Sequence, residues 1–210
     1  MTLSGSIDYT YLKAAGQVSV IEKLCADARE SGYAAVCVYP ADVRLAASLL
    51  DGSMVKVCTV VDFPLGAGTH DARVSEARQA IADGARELDF VLNRELFRND
   101  PKACLAELTA LAAIGREGVA CVTKLIIECC ELTREEKIAA CQMAKRAGFD
   151  FVKTSTGFGS GGATIDDVKL MRETVGSTMG VKAAGGIRDC ETALAMLEAG
   201  ATRIGTSARL

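Results

Sequence analysis

Eight short apolar, β-rich runs recur along the chain: SIDYTYL (6–12), AAVCVY (34–39), VKVCTVV (55–61), ELDFVL (87–92), CVTKLII (121–127), DFVK (150–153), GVKAA (180–184) and ATRIG (201–205). Between most of them the apolar residues change to a helical period, as in VSEARQAIADGA and REEKIAACQMAKRAG. Thr133 with Glu136 has capping-box spacing, Thr164 with Asp167 resembles one, and Gly84, Gly148 and Gly200 follow final helical turns. A strand returned by a helix to the same end of a sheet must run parallel to the next strand. Eight such units predict a closed (β/α)8 barrel, the TIM-barrel architecture, as a single α/β domain over 1–210. An open, flavodoxin-like sheet of fewer strands is the alternative. The first run is the weakest strand, because aspartate and threonine interrupt it. The chain stops at Leu210, so a shortened C-terminus is expected, with the closing helix missing or reduced to a stub.

Composition removes several classes of function. Half of the residues are apolar and none is tryptophan, so the core is built from small aliphatic side chains, as buried strands and helices require. A net charge of −3 offers no basic patch for nucleic acid or a membrane surface. The nine cysteines are odd in number and form no C-x-x-C pair, so they read as small hydrophobes in a reducing cytosol rather than a disulfide framework or a metal site. The N-terminus carries no basic-then-apolar leader, and no run approaches membrane-spanning length; a cytoplasmic protein is expected.

In a barrel of this kind chemistry sits at the C-terminal ends of the strands and in the loops that follow. Those positions hold Asp8, Cys37, Asp89, Lys124, Lys153 and Lys182. Lys153 and Lys182 each follow a valine on successive strands, so their side chains are expected to share one cavity. A free lysine has a pKa near ~10.4, leaving roughly one in a few thousand as the amine at neutral pH. An apolar wall and a second ammonium would lower that pKa and favour Schiff-base formation with a carbonyl compound. The alternative is that each lysine merely reaches solvent from a strand end.

Glycine-rich loops follow the same strands: STGFGSGG after Lys153, AAGGIR after Lys182 and IGTSA at the last strand. Backbone N–H groups in such loops can hold a phosphate, with Gly157, Gly185, Gly186, Gly205 and Ser207 as candidates. Ordinary tight turns are the other reading. Gly157, Gly159 and Gly162 also match G-x-G-x-x-G, but the motif falls late in the chain and lacks the acidic residue of a dinucleotide site. His70, the one histidine, reads as a loop or cap residue, which leaves a Ser-His-Asp or Cys-His system without support.

The stretches IDYTYLK, VCVYP, DFPLGA, ELDFVLN, KLIIE, FVKTSTGFGSGGAT, VKAAGGIR and GATRIGTS together resemble the deoxyribose-phosphate aldolase family over nearly the whole length. The resemblance implies reversible cleavage of 2-deoxy-D-ribose 5-phosphate to acetaldehyde and D-glyceraldehyde 3-phosphate, a step of deoxyribonucleotide catabolism. No cofactor or metal is implied. By the same resemblance Lys153 forms the Schiff base, Lys182 perturbs it and moves protons, and Asp89 joins the proton relay. Asp8, Cys37 and Lys124 fall on pocket-lining positions, and Gly157, Gly185, Gly186, Gly205 and Ser207 on phosphate-loop positions. Phosphorylated sugar and aldehydes are the expected partners, within a homodimer or homotetramer.

Tyr9, Asp62, the NRELF stretch after Asp89, and Ala208 depart from the family pattern. Two other readings stay open: a lysine aldolase or transaldolase acting on a different phosphorylated carbonyl compound, and a non-catalytic barrel that binds a sugar phosphate.

Overall fold

The computed structural model describes residues 2–13 and 17–210; the expected domain, 1–210, also takes in Met1 and positions 14–16, which lie outside them. Eight parallel strands form one closed barrel: β1 Ile7–Tyr11, β2 Ala35–Val38, β3 Lys56–Val61, β4 Glu87–Val91, β5 Val122–Ile126, β6 Phe151–Lys153, β7 Gly180–Ala184 and β8 Arg203–Thr206. The last strand pairs with the first, Asp8 opposite Gly205, so the open sheet is overturned. Every expected run supplies a strand. The polar interruptions of the first run are its inward face: Asp8 points into the barrel while Ile7 joins the outer core.

Helices follow the strands: α1 Val18–Ser31, α2 Val43–Leu49, α3 His70–Ala82, α4 Arg94–Asn99, α5 Pro101–Ile114, α6 Arg134–Ala147, α7 Ile165–Val175 and α8 Cys190–Glu198. Thr133 and Glu136 form the reciprocal capping box at α6, and Thr164 accepts from the Asp167 N–H at α7. Gly148 closes α6 in the left-handed conformation. NRELF makes α4, capped by Asn93 and anchored by the buried Phe97. After β8, residues 207–210 run beside α1, where Leu210 and the Tyr33 hydroxyl exchange hydrogen bonds of 2.7 and 3.0 Å.

Strand side chains alternate between two environments because of the pleat. Val36, Val57, Leu88, Leu125, Val181 and Ile204 face outward and join the helices in the main core. The barrel interior has two unlike halves. Ala35, Cys37, Cys58 and Val60, covered by Leu12, make a small apolar cluster on the β2–β3 side. The opposite side carries acidic and basic side chains.

Candidate active site

The buried charges form one network. Asp89, in the middle of β4, accepts from Lys124 at 2.7 Å on Oδ1, and from Lys153 at 2.8 Å and Lys182 at 2.7 Å on Oδ2. Lys182 also meets Asp8 at 2.5 Å, and Lys124 meets Glu87 at 2.6 Å. Arg203 closes the group from β8, donating to Asp8 at 2.6 Å and Glu87 at 3.0 Å. Burying such groups is tolerable only because each has a partner of opposite charge.

Several residues therefore lie deeper than strand ends. Asp8, Asp89, Lys124 and Lys182 sit mid-strand and are fully buried, as is Cys37, whereas Lys153 ends β6 and is 3% exposed. Lys153 and Lys182 are register partners, but a carboxylate oxygen stands between their ammonium groups. At Lys182 the expected depression is outweighed. Burial and the neighbouring Lys124 cation oppose its charge, yet Asp8 and Asp89 hold it above the ordinary lysine range. Lys124 is raised in the same way, burial being offset by Asp89, Glu87 and Asp8 among others. In return, Asp8 and Asp89 are held below the usual carboxylate range: burial pushes them up and the facing cations overcome it.

Above Lys153 opens a cavity of about 270 Å³. Gly157, Gly185, Gly186, Gly205 and Ser207 line it together with Lys153, so the amine and the glycine loops share one space. Asp8, Cys37, Asp89, Lys124 and Lys182 lie beneath or beside it instead. Two glycines meet a packing demand as well as lining the space. A Cβ on Gly205 would come within 3.2 Å of Lys182 Cε and 2.9 Å of Ala184 Cβ. Gly185 has φ +91°, and the loop after β6 crosses it so closely that a Cβ on Gly162 would lie 2.3 Å from its carbonyl oxygen. The tight-turn reading thus holds for Gly185 and Gly205, and the same loops wall the cavity above Lys153. Gly157, Gly159 and Gly162 belong to this loop.

Arg203, Glu87, Cys58, Glu128 and Thr156 were not singled out from the sequence. Glu87 and Arg203 stand two residues before Asp89 and Gly205, so period-two spacing from known inward positions could have found them. Glu128, at φ +56° after β5, accepts from the Thr156 N–H at 3.2 Å and the Thr156 hydroxyl at 2.5 Å. Thr156 lines the cavity. Nothing local in KLIIE signals that contact.

Among the departures, Asp62 adopts φ +53°, accepts from the Gly68 N–H at 2.9 Å and faces the buried Arg73 at 3.4 Å. It thereby ties down the β3–α3 loop. Tyr9 packs edge-on against Tyr33, and the Ala208 N–H donates to Thr206 Oγ1 at 3.0 Å. His70 starts α3, with Nδ1 4.0 Å from Glu107 and no place in the charge network. This geometry can present an amine to a carbonyl carbon, with proton carriers below and an anion cradle above.

Comparison with known proteins points the same way. The model of the DeoC/LacD family aldolases matches residues 5–208. A deoxyribose-phosphate aldolase of Clostridium perfringens (strain SM101 / Type A) is 52% identical over 208 residues, covering 99% of this chain and 92% of its own. One of Alkaliphilus oremlandii (strain OhILAs) is 54% identical over 209 residues, with 99% and 93% coverage. Among solved structures, "QR15, an Aldolase" superposes with a TM-score of 0.92 at 42% identity, over 99% of this chain and 92% of that one. The tetrameric deoxyribose phosphate aldolase from Aeropyrum pernix also reaches 0.92, at 31% identity and 99% and 87% coverage.

Proposed function

The chain belongs to the DeoC/LacD aldolase family, and from that premise we propose how its own residues cleave 2-deoxy-D-ribose 5-phosphate to acetaldehyde and D-glyceraldehyde 3-phosphate. One observation carries the reading: the Lys153 amine lies at the floor of a glycine-lined cavity, 2.8 Å from a carboxylate oxygen that Lys182 shares. Lys124 and Lys182 each face more than one carboxylate, whereas Lys153 meets Asp89 alone among the described residues. Lys153 is thus the least tied of the three, and it is also the lysine facing the cavity.

The neutral Lys153 amine attacks the C1 aldehyde, and with uptake of one proton and loss of water gives a protonated imine. The imine nitrogen is an electron sink. Once the 3-hydroxyl is deprotonated, the C2–C3 bond breaks, its electrons form an enamine, and C3 leaves as the aldehyde of glyceraldehyde 3-phosphate. The enamine carbon then takes a proton, and water releases acetaldehyde. Asp89 and Lys182 are placed to pass these protons, and help of that kind is typically worth about 10²–10⁴-fold. Gly157, Gly185, Gly186, Gly205 and Ser207 would hold the phosphate, with Asp8, Cys37 and Lys124 shaping the polar floor. The lysine supplies the electron sink, so this sequence of steps requires no cofactor.

Incubation with the sugar phosphate, borohydride reduction and peptide mass mapping test the assignment. A substrate-dependent adduct on Lys153, absent from Lys153→Leu, is expected. Folded protein without an adduct, under conditions that trap another lysine aldolase, would sink it. A panel of phosphorylated aldehydes separates this substrate from related ones.

A homo-oligomer is part of the proposal, supported by the tetrameric Aeropyrum pernix relative and tested by light scattering. None of the described helices is long and apolar enough to cross a membrane. A cytoplasmic site of action accords with a phosphorylated substrate, and cell fractionation tests it.

A further inference from the structure

Cys37 and Cys58 are register partners on β2 and β3, both fully buried. Their sulfurs and an Asp89 oxygen all lie within 4.8 Å of one another. Cys58 Sγ is 3.2 Å from Asp89 Oδ1 and accepts from Lys124 Nζ at 3.3 Å. The two thiols differ. The neighbouring Cys58 thiol lowers the Cys37 pKa against burial and the Asp89 charge, and Lys182 and Lys153 add to the lowering. Burial, its own bond to Cys37 and the Asp89 charge push Cys58 well above the ordinary thiol range. One sulfur is thus inclined toward thiolate while its neighbour keeps a proton, the asymmetry of an attacking and a resolving thiol.

At other buried cysteines burial is the largest cause of a raised pKa, which reaches about 11 at Cys25 and Cys104 and about 12 at Cys121 and Cys141. Cys37, Cys58 and Asp89 also have donor types that suit a thiophilic cation. Lys124, Lys153 and Lys182 crowd the same space, however, and their charges oppose a dication while favouring a thiolate.

We propose that Cys37 and Cys58 form a peroxide-oxidisable site that closes reversibly into a disulfide and switches off the lysine centre beside it. The Cys37 thiolate attacks one peroxide oxygen, forming a sulfenic acid and expelling the other oxygen, which leaves as water or an alcohol after protonation. Cys58 sulfur then attacks the sulfenic sulfur, its proton leaves with the hydroxyl as water, and the S–S bond forms. Two thiols are oxidised as one peroxide is reduced. Neighbouring strands lie about 4.7–4.9 Å apart, near the short end of the roughly 4.4–6.8 Å Cα separation of disulfides. That separation permits the bond, and an external dithiol returns it to two thiols by exchange. Leu12 belongs to the same apolar cluster as the pair and also lines the cavity, so it links the two. Closure draws Cys58 from Asp89 and removes the proton it can donate there, disturbing the carboxylate that holds three lysines.

The test uses the full chain with the exposed Cys130 and Cys190 changed to serine, treated with hydrogen peroxide. Peptide mapping without reductant should show Cys37 linked to Cys58 with loss of two hydrogens. Activity should fall in proportion to the linked fraction and return with dithiothreitol. Cys58→Ala in the same background should form no link, over-oxidise at Cys37 to a sulfinic acid, and stay inactive after dithiothreitol. Oxidised, inactive protein without the Cys37–Cys58 peptide would overturn the proposal; so would linked protein of full activity, or a pair that peroxide leaves reduced. The peptide map reads the bond whether or not the chain turns over the proposed sugar phosphate, so failure of the two readings can be told apart.

Discussion

Lys153 and Lys182 hold the same carboxylate oxygen, Oδ2 of Asp89, at 2.8 and 2.7 Å. Two ammonium groups in register on adjacent strands would repel one another without that oxygen. Asp89 therefore has two tasks in this reading: it keeps three lysines in the barrel, and it offers a path for a proton between the lysine under the cavity and the lysine below it.

Replacing Asp89 with asparagine tests the first task. The change leaves buried cations without a compensating charge, a loss of about 3–5 kcal/mol by comparison with other broken buried pairs. Urea unfolding should show it as a lower midpoint. Turnover should fall at least about 10²-fold even in the folded fraction. Stability and turnover like those of the unchanged protein would remove Asp89 from the centre of the network.

Stability should depend on pH at both extremes. Asp8 and Asp89 are depressed in the folded chain, so their contribution is present above an unfolded pKa of about 3.9 and is lost as pH falls toward their folded values. Lys124 and Lys182 are raised, so theirs is present below about 10.4 and fades as pH climbs toward their folded values. Denaturant midpoints measured across pH should form a plateau between these limits. An acid limb that Asp8→Asn leaves as steep as before would contradict the assignment of Asp8.

Gly205 lines the cavity and also leaves room for a lysine. Gly205→Ala puts a methyl against Lys182 Cε at 3.2 Å and Ala184 Cβ at 2.9 Å. Overpacking of this kind typically costs about 1–3 kcal/mol. The expected signature is a lower kcat, because Lys182 must move from Asp89, with a lower thermal midpoint. A change confined to KM would instead assign Gly205 to substrate contact alone.

Glu128 is expected to act through Thr156. Glu128→Ala removes the acceptor for both the Thr156 N–H and its hydroxyl, a loss of about 1–3 kcal/mol for groups left unpaired. The loop after β6 should loosen at the cavity wall. KM for 2-deoxyribose 5-phosphate should rise, while kcat/KM for unphosphorylated 2-deoxyribose changes little, and Glu128→Gln should recover part of the loss. Equal effects on both sugars would mean that the loop does not serve the phosphate end.

The residues that sequence reasoning reached and those it missed divide along a physical line. Lys153 and Lys182 were accessible because each sits at a recognisable place in a strand, next to a glycine-rich loop. Asp8 interrupts the first strand and was already a site candidate; the barrel makes it the partner of Lys182 and Arg203. Cys37 stood out by its place in a strand, but only the tertiary structure sets Cys58 beside it and separates the pair from the other cysteines.

Local patterning determined the strands, most of the caps and the closed eightfold architecture, because period, capping and turn chemistry act over a few residues. Tertiary structure decided which charges meet. Arg203 and Asp8 stand 195 residues apart in sequence, and they touch because β8 closes on β1. That closure excludes water from the interior, so each buried charge must find its counter-charge across the barrel rather than along the chain.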